Sequence, residues 1–196
     1  MSFLNNPVLV APVLEETAVL QQVVVEPKSL NDYRPIVGDE VVDELLLLSL
    51  PLRGARVVHV NATAYGGGVA EILMTMVPLM RDLGLEAEWQ VIAGADEFFN
   101  VTKACHNGLQ GMDIPFDEEM REIWRHYNLQ NAADFEGEYD YIVVHDPQPA
   151  GLLHFHSRGQ GRRWIWRCHI DTSQPNPVYW SFFEPYLLPY DAYIFS

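Results

Sequence analysis

The stretch ARVVHVNATAYGGGVAEILMTMVPLMRDLGLEAEWQVIAG, residues 55–94, decides the fold. Its first six residues are a short β-rich run that gives way to polar residues and three glycines, and a helical pattern starts at Val69. Apolar residues then recur at three- and four-residue spacing until Gly84 stops the helix, and EAEWQVIAG follows at once as a second strand. Pro78 inside the helix predicts a kink or the local loss of one hydrogen bond.

The same alternation continues outward. Asp96 to Leu109 and Asp117 to Leu129 read as helices, and YDYIVVH (139–145) and WIWRCHI (164–170) as strands. A helix around Tyr179 to Leu188 and a strand AYIF close the chain. Upstream, GDEVVDELLLL from Gly38 reads as a helix with acidic residues in its first turn and apolar ones on one face, closed by Pro51 and Gly54. Residues 7–25 suggest one or two short strands leading into a turn at Ser29 to Asp32. Strands that alternate with helices imply crossovers and a parallel sheet covered on both faces, so the fold class is α/β with a Rossmann-like parallel sheet. Ligands of such sheets sit beyond the carboxyl ends of the strands. Three segments with unusual residues fall there: Asn61 to Gly68, His145 to Gln148 and His169 to Asn176.

Composition narrows the classes of partner. The 196 residues are 48% hydrophobic and carry a formal net charge of −15, which is globular and strongly acidic. Only Lys28 and Lys103 supply lysine, so neither nucleic acid nor an anionic membrane surface is an expected partner. Cys105 and Cys168, far apart and outside any C-x-x-C, read as reduced thiols of a cytoplasmic protein. The amino-terminal stretch has no signal-peptide pattern.

Gly66, Gly67 and Gly68 join a strand to a helix, where bare N–H groups at a positive helix end can approach an anion or a sugar hydroxyl. The spacing fits neither a dinucleotide fingerprint nor a P-loop, and a flexible tight turn stays open as the alternative. His145-Asp146-Pro147-Gln148-Pro149 sets polar groups on a stiffened loop; Asp146 or Gln148 capping a helix near Ala150 is the plainer reading. Alternation puts Trp164, Trp166 and Cys168 on one face of their strand and Ile165, Arg167 and His169 on the other. His169 alone reads as a core histidine satisfied by a carbonyl, and a Cys168/His169 nucleophile pair is disfavoured because neighbours in a strand point apart. His145, His154, His156 and His169 with Asp146 and Asp171 have no recognised ligand spacing, so no metal site is assigned. Arg158, Arg162, Arg163 and Arg167 form the one basic cluster, read as a solvated loop and strand start.

Together HVNATAYGGGVAEIL (59–73), EFFNVTKACHNGLQG (97–111), VVHDPQPAGLL (143–153) and WIWRCHIDTSQPN (164–176) resemble the amino-terminal domain of the trehalose-forming, retaining family 4 glycosyltransferases, with motifs shared by trehalose phosphorylases. The resemblance runs from Leu30 to Ser196; residues 1–26 read as an extension and 27–196 as one domain. It implies the first half of a GT-B fold, whose active site lies in a cleft against a second, donor-binding domain that this sequence does not contain. On that footing the chain alone is expected to be inactive.

By motif, Gly66, Gly67 and Gly68 resemble the loop facing donor phosphates and acceptor sugar, and His169 the histidine that contacts the transferred sugar. Asp146, with His145 and Gln148, resembles the loop that binds sugar hydroxyls. Asn100 and Lys103 fall in a motif near the acceptor, and Arg167 and Asp171 are assigned to orienting His169 or the sugar by adjacency. The implied reaction transfers glucose from a nucleoside diphosphate glucose to glucose with retention, forming trehalose. The leaving phosphate is expected to serve as base, so no protein nucleophile is required, and no cofactor or metal is expected because helix ends and cationic side chains can hold the diphosphate. Expected partners are glucose or trehalose and the nucleotide sugar; a homodimer stays open. A phosphorylase half, and a stand-alone sugar-binding module, are the alternatives.

Overall fold

The strand-and-helix alternation around residues 55–94 is realised in a computed structural model that describes residues 20–157 and 159–195. In chain order the elements begin with β1 (Gln21–Gln22), a 3-10 turn at Leu30–Tyr33, α1 (Arg34–Val37), α2 (Asp39–Ser49), β2 (Arg56–Asn61), α3 (Gly68–Asp82) and β3 (Glu86–Val91). They continue with α4 (Asp96–Leu109), α5 (Glu118–Asp134), β4 (Tyr141–His145), α6 (Leu152–Phe155), β5 (Arg163–Cys168), α7 (Pro177–Leu187) and β6 (Ala192–Phe195).

The six strands form one sheet in the order β1-β3-β2-β4-β5-β6. The four pairings from β3 to β6 are parallel, as the crossover helices require, whereas β1 pairs antiparallel with β3. That two-residue edge strand makes the sheet mixed, since it runs opposite to the β3 strand it pairs with. The other residues of the strands expected over 7–25 lie mostly in 1–19, outside the described residues. From β2 the chain moves to β3 on one side and later to β4 on the other. The strand order therefore reverses between β2 and β4, and ligands of open α/β sheets bind at such a reversal.

Period-two alternation sorts the strands' side chains onto two faces. Val58, Val60, Ile142, Val144, Trp164, Trp166 and Cys168 join one large core with α4, α5, α6 and α7. Ala87, Trp89 and Val91 pack on Ala70, Leu73 and Val77 of α3, and Val57 and Val143 pack nearby with Leu85. Helices therefore cover both faces. α3 runs through Pro78, which is buried in it, so the missing N–H is absorbed without ending the helix. α2 forms where its acidic first turn predicts and buries Val42, but among the described residues Val41, Leu45, Leu47 and Leu48 stay exposed. Among the described residues, no helix is long and apolar enough to cross a membrane.

Candidate functional site

Beyond the carboxyl end of β2 the backbone turns through Asn61 to Gly68 into α3. Asn61 is buried; its Oδ1 accepts from Trp89 Nε1 at 2.7 Å and its Nδ2 donates to Thr63 O at 2.8 Å, which fixes the start of the loop. Gly66 has φ +74°, a left-handed conformation that favours glycine. A Cβ on Gly66, Gly67 or Gly68 would meet open space, so these glycines are not demanded by packing. Gly67 is the N-cap of α3 and makes no side-chain capping bond. The first-turn amides of a fifteen-residue helix thus lie behind bare glycine backbone, a favourable place for an anion.

Next to it β4 ends in His145, and Asp146 follows with φ +64°, the one positive φ outside glycine among the described residues. Such strain persists where the surroundings over-determine it. Here they do: Asp146 N–H donates to Arg167 O (2.9 Å), Asp146 O accepts from Trp166 Nε1 (3.0 Å), and Asp146 Oδ1 accepts from the His169 main-chain N–H (2.7 Å). Burial pushes the Asp146 carboxyl up to about 6, against the N–H of His169 and the charge of Arg167, which lower it.

His169 sits one residue past β5, and its ring meets His145: Nε2 of His169 lies 2.9 Å from Nδ1 of His145. His145 in turn has Nε2 2.9 Å from Nδ1 of His59, whose Nε2 lies 3.3 Å from Sδ of Met80. In register, His59 faces Val143 and His145 faces Arg167, so each ring lies one strand over and two residues along from the last. Burial and the Arg167 charge hold His59 down to about 4. His145 is held well below the ordinary value by burial, the two flanking histidines and Arg167; His169, partly exposed, is lowered by burial and Arg167. All three rings are therefore neutral at pH 7.

His59 escapes the sequence reading. A lone histidine among valines reads as core, and only the diagonal register of β2 on β4 brings it to His145. The signal lies in the pattern: His59, His145 and His169 each stand on the same sheet face at or near the ends of three adjacent strands. Arg167 shares that face, with Nη1 3.7 Å from Met76 Sδ and a buried Nε without a hydrogen bond among the described residues.

The remaining named residues are more scattered. Gln148 accepts at its main-chain O from Asn128 Nδ2 (2.9 Å), while its Oε1 is buried and makes no hydrogen bond among the described residues. Neither it nor Asp146 caps a helix, since α6 opens at Gly151 without a side-chain cap. Asn100 and Lys103 lie exposed, one turn apart on α4. Asp171 is exposed and its Oδ1 accepts from Ser173 N–H at 3.0 Å, a local turn that also lowers its carboxyl. Cys168 is buried, and burial raises its thiol to about 11, which leaves no thiolate nucleophile. Among the described residues no group of three or more acidic, histidine or cysteine side chains is placed to hold a metal ion. Arg158 of the basic cluster lies outside the described residues.

Residues 59–196 match the family model described as trehalose synthase, N-terminal domain. The trehalose synthase of Rubrobacter xylanophilus is 51% identical over 182 residues, covering 91% of this chain and 44% of that protein. That of Thermococcus litoralis is 49% identical over 172 residues, covering 87% and 41%. The trehalose phosphorylase of Pleurotus pulmonarius is 27% identical over 137 residues, 63% of this chain and 18% of its own length. The chain thus spans less than half the length of the trehalose synthases it matches.

Proposed function

The chain belongs to the trehalose synthase N-terminal domain family, and from that premise we propose that it is the acceptor-side part of a retaining, trehalose-forming glycosyltransferase. In the proposed reaction the bond from the anomeric carbon of a nucleoside diphosphate glucose to its diphosphate breaks. A bond to a hydroxyl oxygen of glucose forms, and the proton of that hydroxyl passes to the leaving diphosphate. No protein nucleophile, metal or further cofactor enters this scheme. The cytoplasm, where nucleotide sugars are plentiful, is the proposed location.

One observation carries the reading. At the strand-order reversal between β2 and β4, an open glycine loop on an uncapped helix end lies beside a strained, buried Asp146 that holds the main chain of His169. The amides at Gly67 and Gly68 face the diphosphate, whose charge the helix end stabilises. His169 contacts the transferred glucosyl unit, and Asp146 positions it through the 2.7 Å bond to its main chain. Gln148, on the proline-stiffened loop after β4, binds a sugar hydroxyl. Asn100 and Lys103 meet the acceptor from α4, burial and then the Arg167 charge disfavour protonation of the three rings, and Asp171 shapes the turn after His169.

The test joins this chain to the remaining part of the Rubrobacter xylanophilus trehalose synthase and measures trehalose formation from nucleoside diphosphate glucose and glucose. His169→Ala in that protein lowers turnover by about 100-fold or more, the scale of a lost reaction-centre contact. Near-normal turnover in His169→Ala overturns the site. Turnover of trehalose with inorganic phosphate, and none with a nucleoside diphosphate, moves the reading to a phosphorylase.

A further inference from the structure

The three histidine rings and Met80 form a row from the strand ends into the α3 face of the sheet. We propose that Met80 and His59, acting through His145, are positioning residues that fix His169 in the tautomer carrying its proton on Nε2. A neutral imidazole has one N–H donor and one lone-pair nitrogen, whereas a thioether sulfur only accepts. Met80 Sδ, 3.3 Å from His59 Nε2, therefore requires the proton of His59 to be on Nε2. That leaves His59 Nδ1 as an acceptor, so the 2.9 Å bond to it is donated by His145 Nε2. His145 Nδ1 is then the acceptor of the second 2.9 Å bond, donated by His169 Nε2. Reversing every proton loses the bond at Met80 and sets two lone pairs face to face in a buried place.

The geometry supports bonds rather than stacking. Both pairs of rings have centroids 5.2 Å apart with nitrogens 2.9 Å apart, so the rings meet edge to edge. His59 and His145 are 3% and 0% exposed, and the Arg167 cation facing the row opposes protonation of each ring. Asp146 grips the main chain of His169 and His145 meets its ring, which sets position and proton separately. Because a thioether sulfur takes up no proton at neutral pH, the row orients and does not conduct. Its purpose rests on the sugar-site reading above: with Nε2–H turned to His145, the ring's lone pair is on Nδ1, and a sugar hydroxyl meets His169 as a donor. The tautomer itself rests on geometry alone.

The test is long-range ¹H–¹⁵N NMR on this chain labelled at histidine, at pH 7.5. The expected spectrum has proton-bearing Nε2 in His59, His145 and His169, with nitrogen–nitrogen couplings across both hydrogen bonds. A proton-bearing Nδ1 in His145 or His169 of the native chain overturns the proposal without any variant. His59→Leu removes the acceptor and spreads His169 over both tautomers, with glucose binding weakened about fivefold, as for one lost hydrogen bond. His59→Asn places an amide oxygen near the position of Nδ1 and keeps His169 on Nε2–H. A His169 tautomer that is unchanged in His59→Leu also overturns it. A native chain with the expected tautomers that binds no glucose upholds the row and counts against the sugar reading instead.

Discussion

The two faces of the sheet bury different chemistry. Under α4 to α7 lie Trp124, Trp164, Trp166, Tyr179 and Phe183, whose rings meet largely edge to face, with Phe116 stacked on Tyr179 at 4.3 Å. Under α3 the core is small, and buried among it are His59, Asn61 and His145. A polar group is tolerated in such a place when it is paired, and each of these is. The aromatic face supplies cohesion, and the α3 face spends its buried positions on holding the strand-end loops. The faces are joined by two indoles: Trp124 Nε1 donates to Pro147 O and Trp166 Nε1 to Asp146 O, both at 3.0 Å, so the aromatic core anchors the site turn from beneath.

The strongest way to break this contrast is Trp124→Ala. It empties a fully buried position and frees Pro147 O, and should cost about 3–5 kcal/mol in chemical denaturation. A loss under about 1 kcal/mol would deny the aromatic face its role. Acid is the next lever, and it acts on the other face. His59 and His145 have folded values below their unfolded 6.5, so their contribution is present above pH 6.5 and is lost as pH falls. Asp146 runs the opposite way: its raised value favours folding below its unfolded 3.8 and that contribution is lost as pH rises through about 6. Two histidines outweigh one carboxyl between pH 6 and 4. Stability should fall on acidification by up to about 1.4 kcal/mol per pH unit for each histidine, and His59→Asn should flatten the slope. A stability that holds or rises from pH 6.5 to 4 contradicts the buried neutral row.

Asp146→Asn is a smaller change, since asparagine tolerates the same positive φ and keeps an oxygen for the His169 N–H. At pH 8 it should gain on the order of 2 kcal/mol, the cost of an ionised carboxylate at this site, and the gain should vanish at pH 4. An equal effect at both pH values would show that the carboxyl is not shifted. Gly67→Ala sits at the bottom of the scale. Its φ of −173° suits any residue and a Cβ meets open space, so stability should move by under about 0.5 kcal/mol while anion binding at the helix end weakens. Gly108→Ala sharpens the comparison: there a Cβ would come within 2.3 Å of the Tyr179 ring, and overpacking of the aromatic face should cost about 1–3 kcal/mol.

The sequence made this contrast half visible. Periodicity alone places β2, α3, β3 and α4, because each run is long enough to repeat its pattern and is bounded by glycine or acidic residues. Strand-end position singles out His145, Asp146 and His169, and alternation puts Arg167 and His169 on the face opposite the tryptophans. β1 and α6, at two and four residues, are too short to carry a period. His59 is hidden for a different reason: its partner is 86 residues away, and the contact depends on strand order and register. Asp171 is the reverse case: adjacency to His169 suggests a shared role, whereas the structure shows its carboxylate bonded locally to Ser173. The apolar face of α2 is legible, but its exposure is not.

The most direct test of the central claim is a residue-resolved NMR titration of this chain with glucose and trehalose. Saturable shift changes are expected at Gly66 to Gly68, Asp146, Gln148 and His169, with the aromatic residues under α4 to α7 unmoved. Saturable changes confined to the aromatic residues under α4 to α7, or none with either sugar, would contradict the claim.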